Sequence, residues 1–477
     1  MAVLDTNLMI NKYFEDIAKI PHGSYHEEKI ADYIEDIAMN YGLKYERDQM
    51  HNMIVFKDAS KEYEKHETLM LQGHLDMVNE KNNDSDHDFE NDSLDLYVED
   101  GYLHARGTTL GADDGCGVCY MLAILTDNTL KHPPLECVFT VQEEVGLCGA
   151  MGIDTSSLNA TRMIGLDSGH EGETCTTSSG GRDVVITKQI MGEDNQSSVY
   201  VLNVKGLLGG HSGSYIDKGR GNANKIVGRI LYTLLQNGID VRLIDITGGL
   251  KANAIPRECE AVFASENSYD DISAIVQECY RDIYKELEIS DSGLEIILSQ
   301  DECDVCICSK DSEAIITMMY LGLNGCIEKS QAIKDLTIAS LNMAVIRTHD
   351  DYLTIHYSIR SPLESMRNEL TNQLRTIAML MNASVDVFND YPGWDYDPNS
   401  KLRSQFKDFY YQYSQKELKE TASHGGLETG IFKGKMKDLD IITMGPDMND
   451  IHTPDERLNI ASYVNTYQML IQFLETL

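Results

Sequence analysis

At 477 residues the chain exceeds one ordinary hydrophobic core, so two or three domains are expected. Its 42% apolar and 25% charged content is that of a globular protein rather than a disordered one. The 77 acidic against 40 basic side chains leave a net charge of −37, which excludes nucleic acid and anionic membrane surface as expected partners and tolerates a divalent cation.

The opening stretch MAVLDTNLMINKYFEDIAKI alternates charge with apolar residues at helical spacing. It lacks the basic and apolar regions of a signal peptide, and no window approaches the roughly 18 apolar residues of a membrane span. The eleven cysteines are scattered, which fits reduced thiols and a cytoplasmic location. Cys116 and Cys119 fall in an apolar helix-like run, and Cys303, Cys306 and Cys308 around a short strand. Without a second C-x-x-C or a nearby His pair, both groups read as structural thiols.

Residues 1–185 show the alternation of an α/β sheet domain. Ser24-Tyr25-His26-Glu27 has the form of a capping box, followed by Ile30, Tyr33, Ile34, Ile37 and Ala38 on one helical face. Short apolar strands are predicted at residues 53–56, 68–71, 137–141 and 163–166, with a helix over 117–125. From about 186 to 395 the pattern becomes α+β, in two broadly similar stretches. One opens on SSVYVLNVKGL and runs into a helix over 222–236. The other opens on LTIHYSIRS and runs into a helix over 363–381, which suggests a duplication. The tail, 396–477, returns to the first rhythm, with helices over 404–413 and 461–474 around the strand LDIITMG. The expected architecture is a discontinuous α/β domain of 1–185 and 396–477, its mixed sheet flanked by helices. It is interrupted by an α+β domain of 186–395 built from two ferredoxin-like halves.

The strongest chemical signal is a set of His and carboxylate residues placed directly after predicted strands. LMLQGHLDMV carries His74 and Asp76, and GTTLGADDG carries Asp113 and Asp114 before a helix. FTVQEEVG carries Glu143 and Glu144, MIGLDSG carries Asp167, and ITMGPDMNDIHTPDE carries His452. In open α/β sheets the crevice beyond the carboxyl ends of the strands is the ligand site. An isolated H-x-D or Glu-Glu pair is usually solvated surface. The joint pattern points instead to imidazole and carboxylate ligands for zinc, manganese or cobalt, with two ions roughly 3.5–4 Å apart activating water for amide hydrolysis. Of two adjacent glutamates after a strand, one can ligate while the other takes the proton.

The segments QGHLDMV, TTLGADDG, QEEVGLCGA, LDSGHEGE, KGLLGGHSG, NAIPRE, YPGW and MGPDMNDIHTPDE closely resemble the aminoacyl-histidine, or cytosol non-specific, dipeptidases. These belong to the co-catalytic zinc aminoacylase and carboxypeptidase superfamily, and the resemblance spans nearly the whole chain. It implies a metal-dependent dipeptidase of broad sequence preference, including Xaa-His substrates, with two divalent ions, zinc before manganese or cobalt. It implies that His74, Asp113 and Asp167 hold one ion, and that Asp113 bridges to a second held by Glu144 and His452. Asp76 would orient the His74 imidazole. Glu143 would be the general base that activates a water between the ions and then protonates the leaving amine. The inserted domain would be a lid, with His211 donating to the developing oxyanion and Asn253 and Arg360 binding substrate; His424, from the tail, would bind substrate too. A cis peptide between Asp113 and Asp114 is a further implication. An aminoacylase, a tripeptidase or a diaminopimelate-type deacylase is the alternative within the superfamily, and a non-catalytic metal-binding scaffold the alternative outside it. Whether the lid serves its own site or acts across a homodimer stays open.

Overall fold

The computed structural model describes residues 2–334 and 336–477. They divide into two compact units. The first contains Met1–Thr177, Trp394–Ala422 and Leu427–Leu477, and the second contains Ser178–Gly393 and Ser423–Gly426. No helix among the described residues is long and apolar enough to cross a membrane.

The first unit is built on a six-stranded sheet in the order Lys44–Arg47, Met53–Lys57, Leu135–Thr140, Leu69–His74, Arg162–Gly165, Asp440–Thr443. The last four run parallel, and the first two are antiparallel additions at one edge. Leu69–His74 and Leu135–Thr140 are buried at every position, as parallel strands covered on both faces must be. The helix Ala112–Thr126 is apolar all round and buries nearly its whole length, so it lies inside the unit rather than on its surface. The closing helix Ile460–Leu474 starts at Asn459, whose side chain accepts the Ser462 N–H at 3.0 Å.

The Ser24–Glu27 signature is not a helix cap. The helix Glu28–Tyr41 has Glu27 at its N-cap and no side-chain cap bond. Ser24 Oγ donates to Asp76 instead, at 2.7 Å, and Glu27 accepts the Gln142 N–H at 3.0 Å. Sequence spacing identified the motif, but buried acceptors and donors elsewhere in the unit outcompeted the local bonds.

The second unit contains two βαββαβ halves. The first has strands Ser198–Lys205, Arg242–Gly248, Cys259–Ser265 and Glu295–Asp301, with helices Ala223–Gln236 and Tyr269–Leu287. In sheet order the fourth strand lies beside the first, then the third, then the second. The other half uses Gly180–Gln189, Thr337–Thr348, Tyr352–Ser361 and Ser384–Tyr391, with helices Ser309–Leu321 and Glu364–Leu380, in the same relative order. The halves join edge to edge where Thr247 faces Arg347 and Gly248 faces Ile346. LTIHYSIRS is thus the third strand of its half, not the first. The opening strand is Gly180–Gln189, and the entire first half is inserted after it. Entry and exit of that insert form a two-stranded ribbon, Gly192–Asp194 against Val305–Ile307. Beyond the ribbon the Asn195 N–H donates to the Asp304 carbonyl at 2.8 Å.

Ala223–Gln236 presents Val227, Ile230, Leu231 and Leu234 to the core at helical spacing, each worth about 1.5–3 kcal/mol when fully buried. Its N-cap, Asn222, is 4% exposed. Asn222 Oδ1 accepts the Lys225 N–H at 3.1 Å, and Nδ2 donates to Asn324 Oδ1 at 2.9 Å and to the Met343 carbonyl at 3.1 Å. Asn222→Ala removes the cap and the side-chain bonds to Asn324 and Met343, so a loss of roughly 2–3 kcal/mol is expected in urea unfolding of the second unit. A change below about 0.5 kcal/mol would show that this network is not needed.

Candidate active site

The carboxyl ends of the parallel strands deliver the expected cluster. His74 ends its strand, Glu143 and Glu144 follow Leu135–Thr140, and Asp167 follows Arg162–Gly165. His452 lies beyond Asp440–Thr443, in a loop where its φ is 64°. Asp113 sits in a non-helical kink at the start of Ala112–Thr126, and its peptide bond to Asp114 is cis.

Ligand-type atoms of His74, Asp113 and Asp167 lie within 4.8 Å of one another, as do those of Asp113, Glu144 and His452, and those of His74, Glu143 and Glu144. Asp113 is shared by the first two trios. Its Oδ1 is 3.1 Å from His74 Nε2 and its Oδ2 is 3.3 Å from His452 Nε2. His452 Nε2 is also 2.7 Å from Glu144 Oε1. One carboxylate therefore carries an imidazole on each oxygen, the arrangement of a bridging ligand.

The titration properties follow from crowding. Burial pushes Asp167 up to about 7, with the Asp113 carboxylate adding to it. Burial also raises Glu143 well above the carboxylate range, and Asp167, Glu428 and Glu144 add to this against the pull of His74. Burial acts the same way on Asp113, but His452 and His74 on its two oxygens hold it well below its ordinary value. Contacts to Asp113 and Glu144 raise His452 to about 10. With protons as its only cations, this cluster compensates its charge by holding the two imidazoles and the Asp167 and Glu143 carboxyls above their ordinary pKa values. Two dications would supply the same compensation with every donor deprotonated, so the donor set fits a pair of divalent ions.

Asp76 is 1% exposed and approaches His74 with both its carbonyl and its carboxylate. His74 Nδ1 donates to the backbone carbonyl of Asp76 at 2.9 Å, which leaves Nε2 as the free nitrogen, while the Asp76 carboxylate lies 3.6 Å from Nδ1. That carboxylate accepts the Glu143 N–H at 2.9 Å, the Glu144 N–H at 3.3 Å and the Ser24 hydroxyl. It fixes the backbone of the two glutamates as well as the field around the imidazole.

Three further buried carboxyls were given no role from sequence. Asp114 accepts the His74 N–H at 3.2 Å and the Gly117 N–H at 3.1 Å. A Cβ at Gly73 would stand 2.1 Å from Asp114 Oδ2, which explains that glycine. Glu428, 3% exposed, takes Gln72 Nε2 at 2.5 Å and Thr140 Oγ1 at 2.6 Å on one oxygen. His74 and Thr140 face each other across the two strands, so Glu428 clasps the strand ends that carry His74 and the glutamates. Glu456 lies four residues after His452 and is 2% exposed. No local spacing distinguishes these acids from solvated ones.

The second unit gathers all four residues expected to bind substrate. His211 pairs with Ala254 in a short bridge, and the Ser212 N–H donates to the Asn253 carbonyl at 2.8 Å. Arg360, 8% exposed, directs Nε to Ser212 Oγ at 3.3 Å. The Gly213 N–H points at His211 Nδ1 at 3.2 Å, so Nε2 carries the proton and is a donor. Burial and Arg360 lower the pKa of His211 and keep it neutral. His424 places Nδ1 2.9 Å from Ser179 Oγ and Nε2 2.7 Å from Ser340 Oγ. Both nitrogens are committed within the unit, the geometry of a brace rather than of a substrate contact. Burial, and then the charge of Arg360, push it down to about 4.

The chain matches the Peptidase family M20/M25/M40 over residues 70–476. It is 36% identical over 466 residues to the cytosol non-specific dipeptidase of Escherichia coli, covering 97% of this chain and 96% of that one. Among solved structures it resembles the aminoacylhistidine dipeptidase from Vibrio alginolyticus, with a TM-score of 0.91, 32% identity and coverage of 98% and 96% of the two chains. A tripeptidase from Staphylococcus aureus shares the fold, with a TM-score of 0.57, 15% identity and 99% coverage of both.

Two outcomes follow. Asp76→Ala leaves two N–H groups and a hydroxyl without their acceptor, so metal affinity of the chelated protein is expected to fall about 10–100-fold in calorimetric titration. Wild-type affinity would sink the role given to Asp76. For His424 the folded pKa lies below the ordinary 6.5, so the unfolded chain binds more protons between these values. Its stabilisation is complete above 6.5 and is lost as pH falls towards 4, by up to about 3 kcal/mol. The urea midpoint of the second unit should therefore fall over that interval, and fall less in His424→Gln.

Proposed function

Because the chain belongs to peptidase family M20/M25/M40, we propose that it is a metal-dependent dipeptidase that cleaves short substrates of broad sequence, Xaa-His dipeptides among them. The observation that carries the reading is the pair of overlapping trios that share Asp113, with Glu143 beside them. His74, Asp113 and Asp167 are assigned to one ion, and Asp113, Glu144 and His452 to the other, with zinc proposed before manganese or cobalt. When bound, two such ions lower the pKa of water and polarise a carbonyl.

The chain's own residues do the rest. Glu143 has its backbone fixed by Asp76 and is assigned the proton of the attacking water, which it passes to the nitrogen of the departing amine. His74 is held by its Nδ1–H in the tautomer that leaves Nε2 towards Asp113. In the second unit, which we assign as the lid, neutral His211 offers Nε2–H to a developing oxyanion. The Arg360 guanidinium suits the free carboxylate of a dipeptide, and Asn253 supplies a further polar contact. His424 is assigned to hold Ser179 and Ser340 in place next to Arg360. A cytoplasmic setting accords with the cytosolic relative and with eleven cysteines scattered without a disulfide-scaffold pattern.

The test is hydrolysis of a dipeptide panel by chelated protein before and after zinc, manganese or cobalt is restored. N-acyl amino acids and longer peptides serve as comparison substrates. Metal-restored cleavage confined to dipeptides is expected. Glu143→Gln should lose at least about 10²-fold in kcat while still binding two ions. Turnover of acyl amino acids with silence on dipeptides would move the activity to the aminoacylase side.

A further inference from the structure

Glu456 makes a contact pattern that its sequence position does not suggest. Its Oε2 accepts the Leu110 N–H at 2.7 Å and the Gly111 N–H at 3.1 Å, and its Oε1 accepts the Ala112 N–H at 2.9 Å. Three successive amides, more than 340 residues away in sequence, thus end on one carboxylate. These amides lead directly into Asp113. They belong to no ladder, because Gly111 has a φ of 67° and precedes the kink at Asp113. A Cβ at Gly111 would also meet Met77 Sδ at 2.9 Å, so the turn cannot relax into an ordinary one.

The main chain of Glu456 belongs to the other ligand loop. Its N–H donates to the Thr453 carbonyl at 3.1 Å and closes the turn that follows His452. One residue therefore grips the Asp113 loop with its side chain and the His452 loop with its backbone. Asp113 has a separate tie to His74, since the adjoining Asp114 accepts the His74 N–H. The two spacings about the shared carboxylate are set by different acids.

We propose that Glu456 is a positioning residue that fixes the Asp113–His452 spacing and thereby the affinity of the site formed by Asp113, Glu144 and His452. The inference rests on the two-ion reading above. Losing Glu456 loosens that site selectively, while Asp114 preserves the spacing between Asp113 and His74. Glu456 reaches neither ion nor substrate in this role, because its oxygens are spent on amides.

The experiment is zinc titration of the chelated full-length chain by calorimetry, with thermal melting of the metal-free protein alongside. Glu456→Gln keeps the size but replaces one acceptor oxygen with an amide that faces an N–H. Two ions should bind the wild type. In the variant one should bind with wild-type affinity and the other about 10–100-fold more weakly, with metal-free melting unchanged. If Glu456→Gln does not fold, Glu456→Asp, which keeps the charge and shortens the reach by one methylene, is read the same way. Two wild-type affinities, or equal weakening of both, would overturn the proposal while leaving the metal reading intact. A wild-type chain that binds no zinc, manganese or cobalt would overturn the metal reading and this inference with it.

Discussion

The active-site loops depend on one constraint: beyond the ends of the parallel strands, backbone N–H groups lose their ladder partners and still need acceptors. Buried carboxylates from distant segments supply them. Asp76 takes the amides of Glu143 and Glu144, Asp114 takes that of His74, and Glu456 takes residues 110 to 112. Such a bond is stronger than a neutral one where the acceptor is ionised. The solution has an electrostatic cost, since it packs supporting acids around a cluster already rich in carboxylates. Burial then pushes Asp167, Glu428 and Glu456 up to about 7. The acids that shape the loops and the acids that invite cations share one field.

Much of this was legible in the sequence. The clustered His74, Glu143, Glu144 and Asp167 could be read because each follows an apolar run short enough to be a strand, and strand ends in parallel sheets converge on one rim. Boundaries shifted by a residue or three, as at Leu135–Thr140, without moving any side chain of the cluster. What escaped were acids whose role depends on partners hundreds of residues away. Glu428 and Glu456 look like helix-start and turn acids until Gln72, Thr140 and the amides of 110 to 112 are in view. Ser24 and Glu27 show the converse: a strong local pattern gave way because Asp76 and Gln142 offered buried bonds. The order of modules in the second unit was likewise misread, since a nested half leaves its host's first strand far from the rest.

The second unit solves a different problem. Arg360 is buried, directs Nε to the hydroxyl of Ser212, and keeps its guanidinium beside two histidines. A cation in that position disfavours charge on both imidazoles, and each is held neutral. Neutral imidazoles can share the neighbourhood with a guanidinium without repulsion. One of them, His211, retains a donor, whereas His424 spends both nitrogens on serines.

The ribbon at Gly192–Asp194 and Val305–Ile307 bears on how the chain can assemble as it is synthesised. Antiparallel partners lie about 5 Å apart, so the insert's two ends are neighbours and its half can close on itself. It emerges from the ribosome complete before the helix Ser309–Leu321 and the later strands of its host exist. Strand Gly180–Gln189 meanwhile has neither of its partners, Tyr352–Ser361 and Ser384–Tyr391, and presents both edges. The sheet of the first unit waits longer still, for Asp440–Thr443. Nesting thus makes the most deeply embedded module the one best able to fold early, and leaves the enclosing pieces as the span that chaperones must shield.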